Sequence, residues 1–206
     1  LGTANIQLAQ SIYCGWELWH YGAAKAFEKI AGRIHDEIKS SQVNCVVTLS
    51  PQSAFLLREA YQSELGYTFN IPVYSLAEYL LEKQDSLKSL LKAPQKAFYL
   101  LQSASEVYGT GSKAPDRLLA ALGIQAVERP STFYPLRNAH YPEGLVLDLH
   151  PDPRQVIVER LKQVIALTKA ESVVVTTSEA YAVLTKELSL PVQDLAGYLL
   201  QQSISA

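Results

Sequence analysis

The chain has no methionine and only two cysteines among 206 residues. Two thiols are too few for a disulfide framework, and one chain cannot build an all-cysteine metal site from them. Cys45 lies in the apolar run Val43-Asn44-Cys45-Val46-Val47 and reads as a buried core thiol. Charge is also scarce. Asp, Glu, Lys and Arg make up 18% of the chain, against roughly 25% in ordinary soluble domains. Such a surface fits one partly covered by a partner, and equally a chain rich in Gln and Ser. The net charge is −2, so no basic field invites nucleic acid, and none is expected as a partner. No apolar stretch approaches the roughly 18 residues of a membrane span. No signal-peptide pattern opens the chain. The start at Leu1 and the lack of methionine suggest a fragment or a processed product.

What is present is an ample core. Hydrophobic residues make up 48% of the chain, and the length suits one large domain or two small ones. Ala23, Phe27, Ile30, Ala31, Ile34 and Ile38 share one helical face, which predicts a helix over Ala23–Ser40. Val43–Leu49 reads as a buried strand. Ser50 then stands as N-cap, with Pro51 at the first helical position and the helix running on through Ala54–Ser63. Ile71–Tyr74 is extended, and Ser75-Leu76-Ala77-Glu78 is a capping box that opens a helix to Lys83. Further strands are expected at Lys96–Gln102, Ile124–Glu128 and Ser172–Thr177. Helices are expected at Pro115–Leu122, Pro153–Lys169, Glu179–Leu188 and Val192–Gln202. Strands separated by helices of this length imply parallel pairing and Rossmann-like layering.

The pattern occurs twice. Ile71-Pro72-Val73-Tyr74-Ser75-Leu76-Ala77-Glu78-Tyr79-Leu80-Leu81 matches the eleven residues from Leu190 to Leu200 at seven positions. Val46-Val47-Thr48-Leu49-Ser50 matches Val174-Val175-Thr176-Thr177-Ser178, and Leu1-Gly2 matches Leu122-Gly123. The matches keep one order, as a tandem duplication requires. Two related units follow, residues 1–93 and 94–206. The strand and helix of Lys96–Ala121 have no counterpart in the first unit; the missing piece is expected upstream of Leu1 or from a partner.

Motif by motif, the duplicated pattern resembles the cysteine-rich CCG domain of heterodisulfide reductases and their relatives. Tyr13-Cys14-Gly15 stands where that family has Cys-Cys-Gly. After 34 intervening residues, Ser50-Pro51-Gln52-Ser53 stands where it has Cys-x-x-Cys. Ser103 closes the leading strand of the second unit, and Ala114–Leu119 resembles the helix that follows it. In the second unit Tyr134 and Pro135 replace the Cys-Cys pair, and Ser178 and Tyr181 replace the Cys-x-x-Cys ends. The resemblance implies the α/β fold, with two tandem Rossmann-like units, mainly parallel sheets and a pseudo-two-fold relation. It also implies vestigial cluster positions at Tyr13, Cys14, Gly15, Ser50, Ser53, Ser103, Tyr134, Pro135, Ser178 and Tyr181. One thiol remains, and serine hydroxyls are poor substitutes for thiolates.

On that resemblance the chain is expected to be a cluster-free docking subunit of a redox complex. It would be cytoplasmic or membrane-peripheral through its partners, with no cofactor and no catalytic residue. One alternative keeps an iron–sulfur cluster on Cys14 with ligands from elsewhere. Another binds a small molecule in the vacated cleft between the units. Trp16, Trp19, His20 and Tyr21 form either a pocket wall, for a flat ligand or a partner helix, or filler for the lost cluster's space. The Tyr13–Tyr21 and Phe133–Tyr141 segments are expected to face each other. His140, Asp148 and His150 fit no standard zinc spacing. Gly109-Thr110-Gly111-Ser112 reads as a turn and not a phosphate loop. His35 reads as part of a solvated face, and the N-cap position accounts for Ser50.

Overall fold

Strands alternate with helices in the computed structural model, which describes residues 13–91, 97–103, 106, 112–128 and 151–204. The chain parts into two compact units, Leu1–Tyr79 and Leu80–Ala206.

The first unit opens with a short helix α1 (Trp16–His20), entered through Gly15 in a left-handed conformation, and continues with α2 (Ala24–Ser40). Phe27, Ala31 and Ile34, spaced four and three apart, put one face of α2 into the core. Strand β1 (Val46–Thr48) leads into α3 (Pro51–Phe55), a π-helical turn (Leu56–Ala60) and α4 (Tyr61–Leu65). Gly66, at φ +70°, ends this run as a left-handed cap. Strand β2 (Val73–Ser75) pairs parallel with β1, Val46 opposite Val73, and α5 begins at Leu76 and ends at Glu82. The capping box at its start is complete. The Ser75 N–H donates to Glu78 Oε2 at 2.7 Å, and the Glu78 N–H donates to Ser75 Oγ at 3.4 Å. The Arg58 guanidinium pairs with the same carboxylate at 2.9 Å, tying the π turn to α5.

The second unit carries α6 (Gln84–Lys88), β3 (Phe98–Leu101), α7 (Ala114–Ala121), α8 (Pro151–Thr168), β4 (Ser172–Val175), α9 (Ser178–Glu187), β5 (Val192–Asp194) and α10 (Leu195–Ile204). Its strands pair in the order β3-β4-β5, all parallel. Tyr99, Leu101, Val173 and Val175 pack with Val158, Leu161 and Ile165 of α8 and Leu184 of α9. On β3, Phe98 meets the Tyr198 ring at 4.7 Å. The fold is α/β: two tandem Rossmann-like units whose described strands pair in parallel.

Several expectations change. β1 and α3 correspond to β4 and α9, and β2 and α5 to β5 and α10, as the repeat implies. The strand register, however, moves by one residue. Val46 pairs with Val73, and Val173 pairs with Val192, so Val46 corresponds to Val173 and not to Val174. Ser50 and Thr177 are the equivalent N-caps, which leaves Ser178 at the place of Pro51. Residues 192–202 are not one helix, because β5 precedes α10. Residues 124–128 form no strand and make one main-chain bond to β3, Val127 N–H to Phe98 O at 2.9 Å. Cys45 is half-buried, as is Val46 beside it, because β1 pairs with β2 alone among the described residues. His35 is half-buried and not on an open face: it stacks on Tyr67, centroids 4.8 Å apart, and touches Phe69. Among the described residues no helix is long and apolar enough to cross a membrane.

Candidate functional site

In open parallel α/β sheets, ligands bind outside the carboxyl ends of the strands. Each unit gathers polar side chains there.

In the first unit the centre is Cys14. Its carbonyl accepts a hydrogen bond from Tyr61 Oη at 2.9 Å, and its Sγ accepts one from Ser53 Oγ at 3.1 Å. Ser53 lies in the first turn of α3, directly beyond β1. Gly15 makes the turn between Cys14 and α1. At φ +84° a side chain is strained, and an added Cβ would come within 3.1 Å of the Phe27 ring. Burial pushes the Cys14 thiol above its ordinary value, against the bonds from Ser53 and the Trp16 N–H, which favour the thiolate. Glu17 adds to the upward push through its charge.

Ser50 occupies the N-cap of α3 but does not cap with its side chain; its hydroxyl donates to Gln52 Oε1. The N-cap position therefore does not account for Ser50. Tyr13 is half exposed, and burial of its hydroxyl beside Glu17 pushes it up to about 12. Trp16 and Trp19 pack on each other at 5.4 Å and both touch Phe55, at 6.3 and 5.6 Å. They lie against the first unit's core as partly buried packing, while His20 and Tyr21 are exposed. A groove of about 330 Å3, lined in part by Arg58, Gln62, Tyr67 and Pro72, lies at the start of β2 and does not include Cys14.

In the second unit Ser103, Glu106 and Thr176 meet where β3 and β4 end. Thr176 Oγ1 donates to Glu106 Oε2 at 2.7 Å and accepts from the Ser103 N–H at 3.3 Å. The Glu106 N–H donates to Ser103 Oγ at 3.0 Å, and Glu106 is 1% exposed. Ser178 and Tyr181 do not join this group. Ser178 starts α9, and Tyr181 lies 39% exposed on it. Tyr134, Pro135, the Phe133–Tyr141 segment, His140, Asp148 and His150 lie outside the described residues, as does most of Gly109–Ser112.

The structure thus brings Cys14, Gly15 and Ser53 together, and separately Ser103 with Glu106 and Thr176. Sequence reasoning missed Tyr61, Glu106 and Thr176. A polar residue just after an apolar strand was the signal available for Thr176, whereas Glu106, five residues beyond β3, carried none. Tyr61 carried none, because its direction depends on the π turn.

No family model matches the chain, and no curated protein matches it. Among solved structures it is similar to a Yersinia pestis protein provisionally described as an Asp/Glu racemase. The identity is 13% and the TM-score 0.41, over 91% of this chain and 76% of the other. It is also similar to a cysteine-substituted variant of arylmalonate decarboxylase in a sulfate-associated form. There the identity is 10% and the TM-score 0.32, over 88% and 75% of the two chains. Likeness at this level concerns the layout of the chain and assigns no activity.

These findings overturn the resemblance to the CCG domain. No family model matches the chain, that of the CCG domain included. Among the described residues no three His, Cys, Asp or Glu side chains form a group that could hold a metal. The Cys-Gly and Ser-Pro-x-Ser spacing has a different physical origin. It places a thiol beside a helix-borne hydroxyl, with a glycine making the turn from the thiol's residue into α1. The redox docking role, the single-cluster alternative and the ligand cleft between units fall with the resemblance that implied them.

Proposed function

We propose that the first unit carries an acid–base site in which the Cys14 thiol exchanges a proton with a small organic substrate. The observation that carries this reading is the Ser53 Oγ–Cys14 Sγ bond of 3.1 Å, at the end of the sheet where such folds bind ligands. A thiol held protonated by burial is a poor nucleophile at neutral pH, because the thiolate is the nucleophilic form. It is well placed as a proton donor. When its proton leaves, the Ser53 hydroxyl and the Trp16 N–H are already aimed at the sulfur and stabilise the thiolate. That thiolate takes the proton of an acidic C–H, which leaves a substrate carbanion and restores the thiol; the thiol, its proton exchanged with solvent, then returns one to the same carbon, and no electrons are exchanged.

The test is hydrogen exchange. Wild type, Cys14→Ala and Ser53→Ala are incubated in deuterated buffer with a panel of small molecules bearing an acidic C–H, and loss of the C–H signal is followed by NMR. The panel runs from small carboxylic acids with an exchangeable α C–H to the matching ketones and amides. The expected result is exchange of at least one compound that falls about 100-fold or more in Cys14→Ala, the size of a lost general acid or base. Exchange of equal rate in wild type and Cys14→Ala, or none with any compound, sinks the reading.

A further inference from the structure

Ser53 and Tyr61 reach the same residue from one helical run, and a regular α-helix would not allow it. They are eight residues apart. At about 100° per residue, eight residues turn through about 800°, which leaves the two side chains about 80° out of line. Between them lies the π turn Leu56–Ala60, closed by the Tyr61 N–H bonding to Leu56 O, five residues back. A π turn absorbs one extra residue, so the eight steps act as seven. Seven α-helical steps make about 700°, within about 20° of two full turns. Ser53 and Tyr61 then share a face, about 10 Å apart along the axis. Tyr61 leans back toward the helix start, as helical side chains do, and its long ring closes much of that gap.

Both contacts fall on Cys14, one at the sulfur and one at the carbonyl. Tyr61 is 0% exposed and its ring meets Phe27 edge-on at 5.5 Å, so its hydroxyl is aimed by packing. Arg58, within the π turn, is fixed by Glu78 and reaches Val73 O at 3.5 Å, which anchors the irregular turn to β2 and α5. We propose that the π turn and Tyr61 are a positioning device for the Cys14 thiol: the inserted residue turns Tyr61 onto the Cys14 carbonyl, and the carbonyl bond keeps the sulfur within reach of Ser53. The purpose of that positioning rests on the acid–base role above, but its test needs no substrate.

The experiment is alkylation of folded protein by iodoacetamide across pH, with mass spectrometry separating Cys14 from Cys45. The variants are Ser53→Ala, Tyr61→Phe, the double variant, and a deletion of the exposed Glu59 that lets the π turn close as α-helix. Ser53→Ala removes a donor to the thiolate, so the pH midpoint of Cys14 alkylation rises and the rate at pH 8 falls about three- to ten-fold. Tyr61→Phe does not touch the sulfur, yet the same direction of change is expected from it. The double variant should go no further than Ser53→Ala alone. Deleting Glu59 should shift the profile as Tyr61→Phe does. A Tyr61→Phe profile that is unchanged or lower in midpoint overturns the proposal, as does an equal shift with and without Ser53. A deletion variant with the wild-type profile removes the π turn from it, and the Tyr61→Phe result decides the rest. These profiles can hold while the exchange experiment fails, or fail while it succeeds, so the two readings are separable.

Discussion

β1 and β4 are built from nearly the same residues and live in different surroundings. All four residues of β4 are buried, because β3 and β5 flank it on either side. β1 pairs with β2 alone among the described residues; its Val47 is 38% exposed, and Leu49 just beyond it is 76% exposed. A valine run therefore fixes the strand and not its burial. What decides burial is which neighbours the sheet supplies.

The largest expected effect follows from that difference. Val174→Ala, from a fully buried site, is expected to cost about 2–3 kcal/mol in chemical denaturation. Its counterpart Val47→Ala should cost under about 1 kcal/mol. Equal costs would mean that the Val47 side chain is covered in solution.

The glycines before α1 and after α7 give the next contrast. Gly15 and Gly123 share a left-handed backbone, at φ +84° and +72°. A Cβ on Gly123 meets nothing within 4 Å, whereas on Gly15 it presses on Phe27. Gly123→Ala should cost about 1 kcal/mol from backbone strain alone. Gly15→Ala should cost measurably more by the same assay.

Two buried tyrosines separate the units by sign. Tyr61 donates to Cys14, while the buried Tyr198 hydroxyl has no hydrogen-bond partner among the described residues. Tyr61→Phe is expected to cost about 1 kcal/mol, the typical worth of one hydrogen bond. Tyr198→Phe should be neutral or stabilising, because it removes a buried hydroxyl without breaking a bond. A clear loss on Tyr198→Phe would reveal a partner, such as an ordered water.

How much was legible follows from the same elements. The repeat, the capping box at Ser75 and Glu78 and the face of α2 were readable because each is a local pattern with a fixed period. The alignment of β1 with β4 was not. A buried parallel strand lacks the alternation that sets phase, so Val-Val-Thr slid one residue along Val-Val-Val-Thr. That slip set Ser178 in place of Thr177, and on a strand one residue reverses the face. At the candidate site Cys14 and Ser53 were visible as residues, but their spacing was assigned to a cluster. The contact that explains it needs β1, α3 and the turn at Gly15 folded together.

The smallest effect concerns pH and belongs to the first unit, since the second contains no cysteine. Burial raises the Cys14 thiol above its ordinary value of 9.0. Below that value the thiol is protonated in both the folded and unfolded chain, and stability does not depend on it. Above it the unfolded chain releases the proton while the folded chain keeps it, so each step up in pH favours unfolding. Wild type should therefore lose stability as pH rises from the ordinary value of 9.0 toward the raised one. Cys14→Ser keeps Cys45 and should lack that part of the slope, leaving a flatter profile until the tyrosines begin to titrate. Ser53→Ala, by weakening the thiolate further, should steepen it. Denaturation midpoints at a series of pH values measure all three. Parallel profiles for wild type and Cys14→Ser would mean that the sulfur is as solvated in the folded state as in the unfolded one, and the contrast between a partly open first sheet and its sheltered thiol would then disappear.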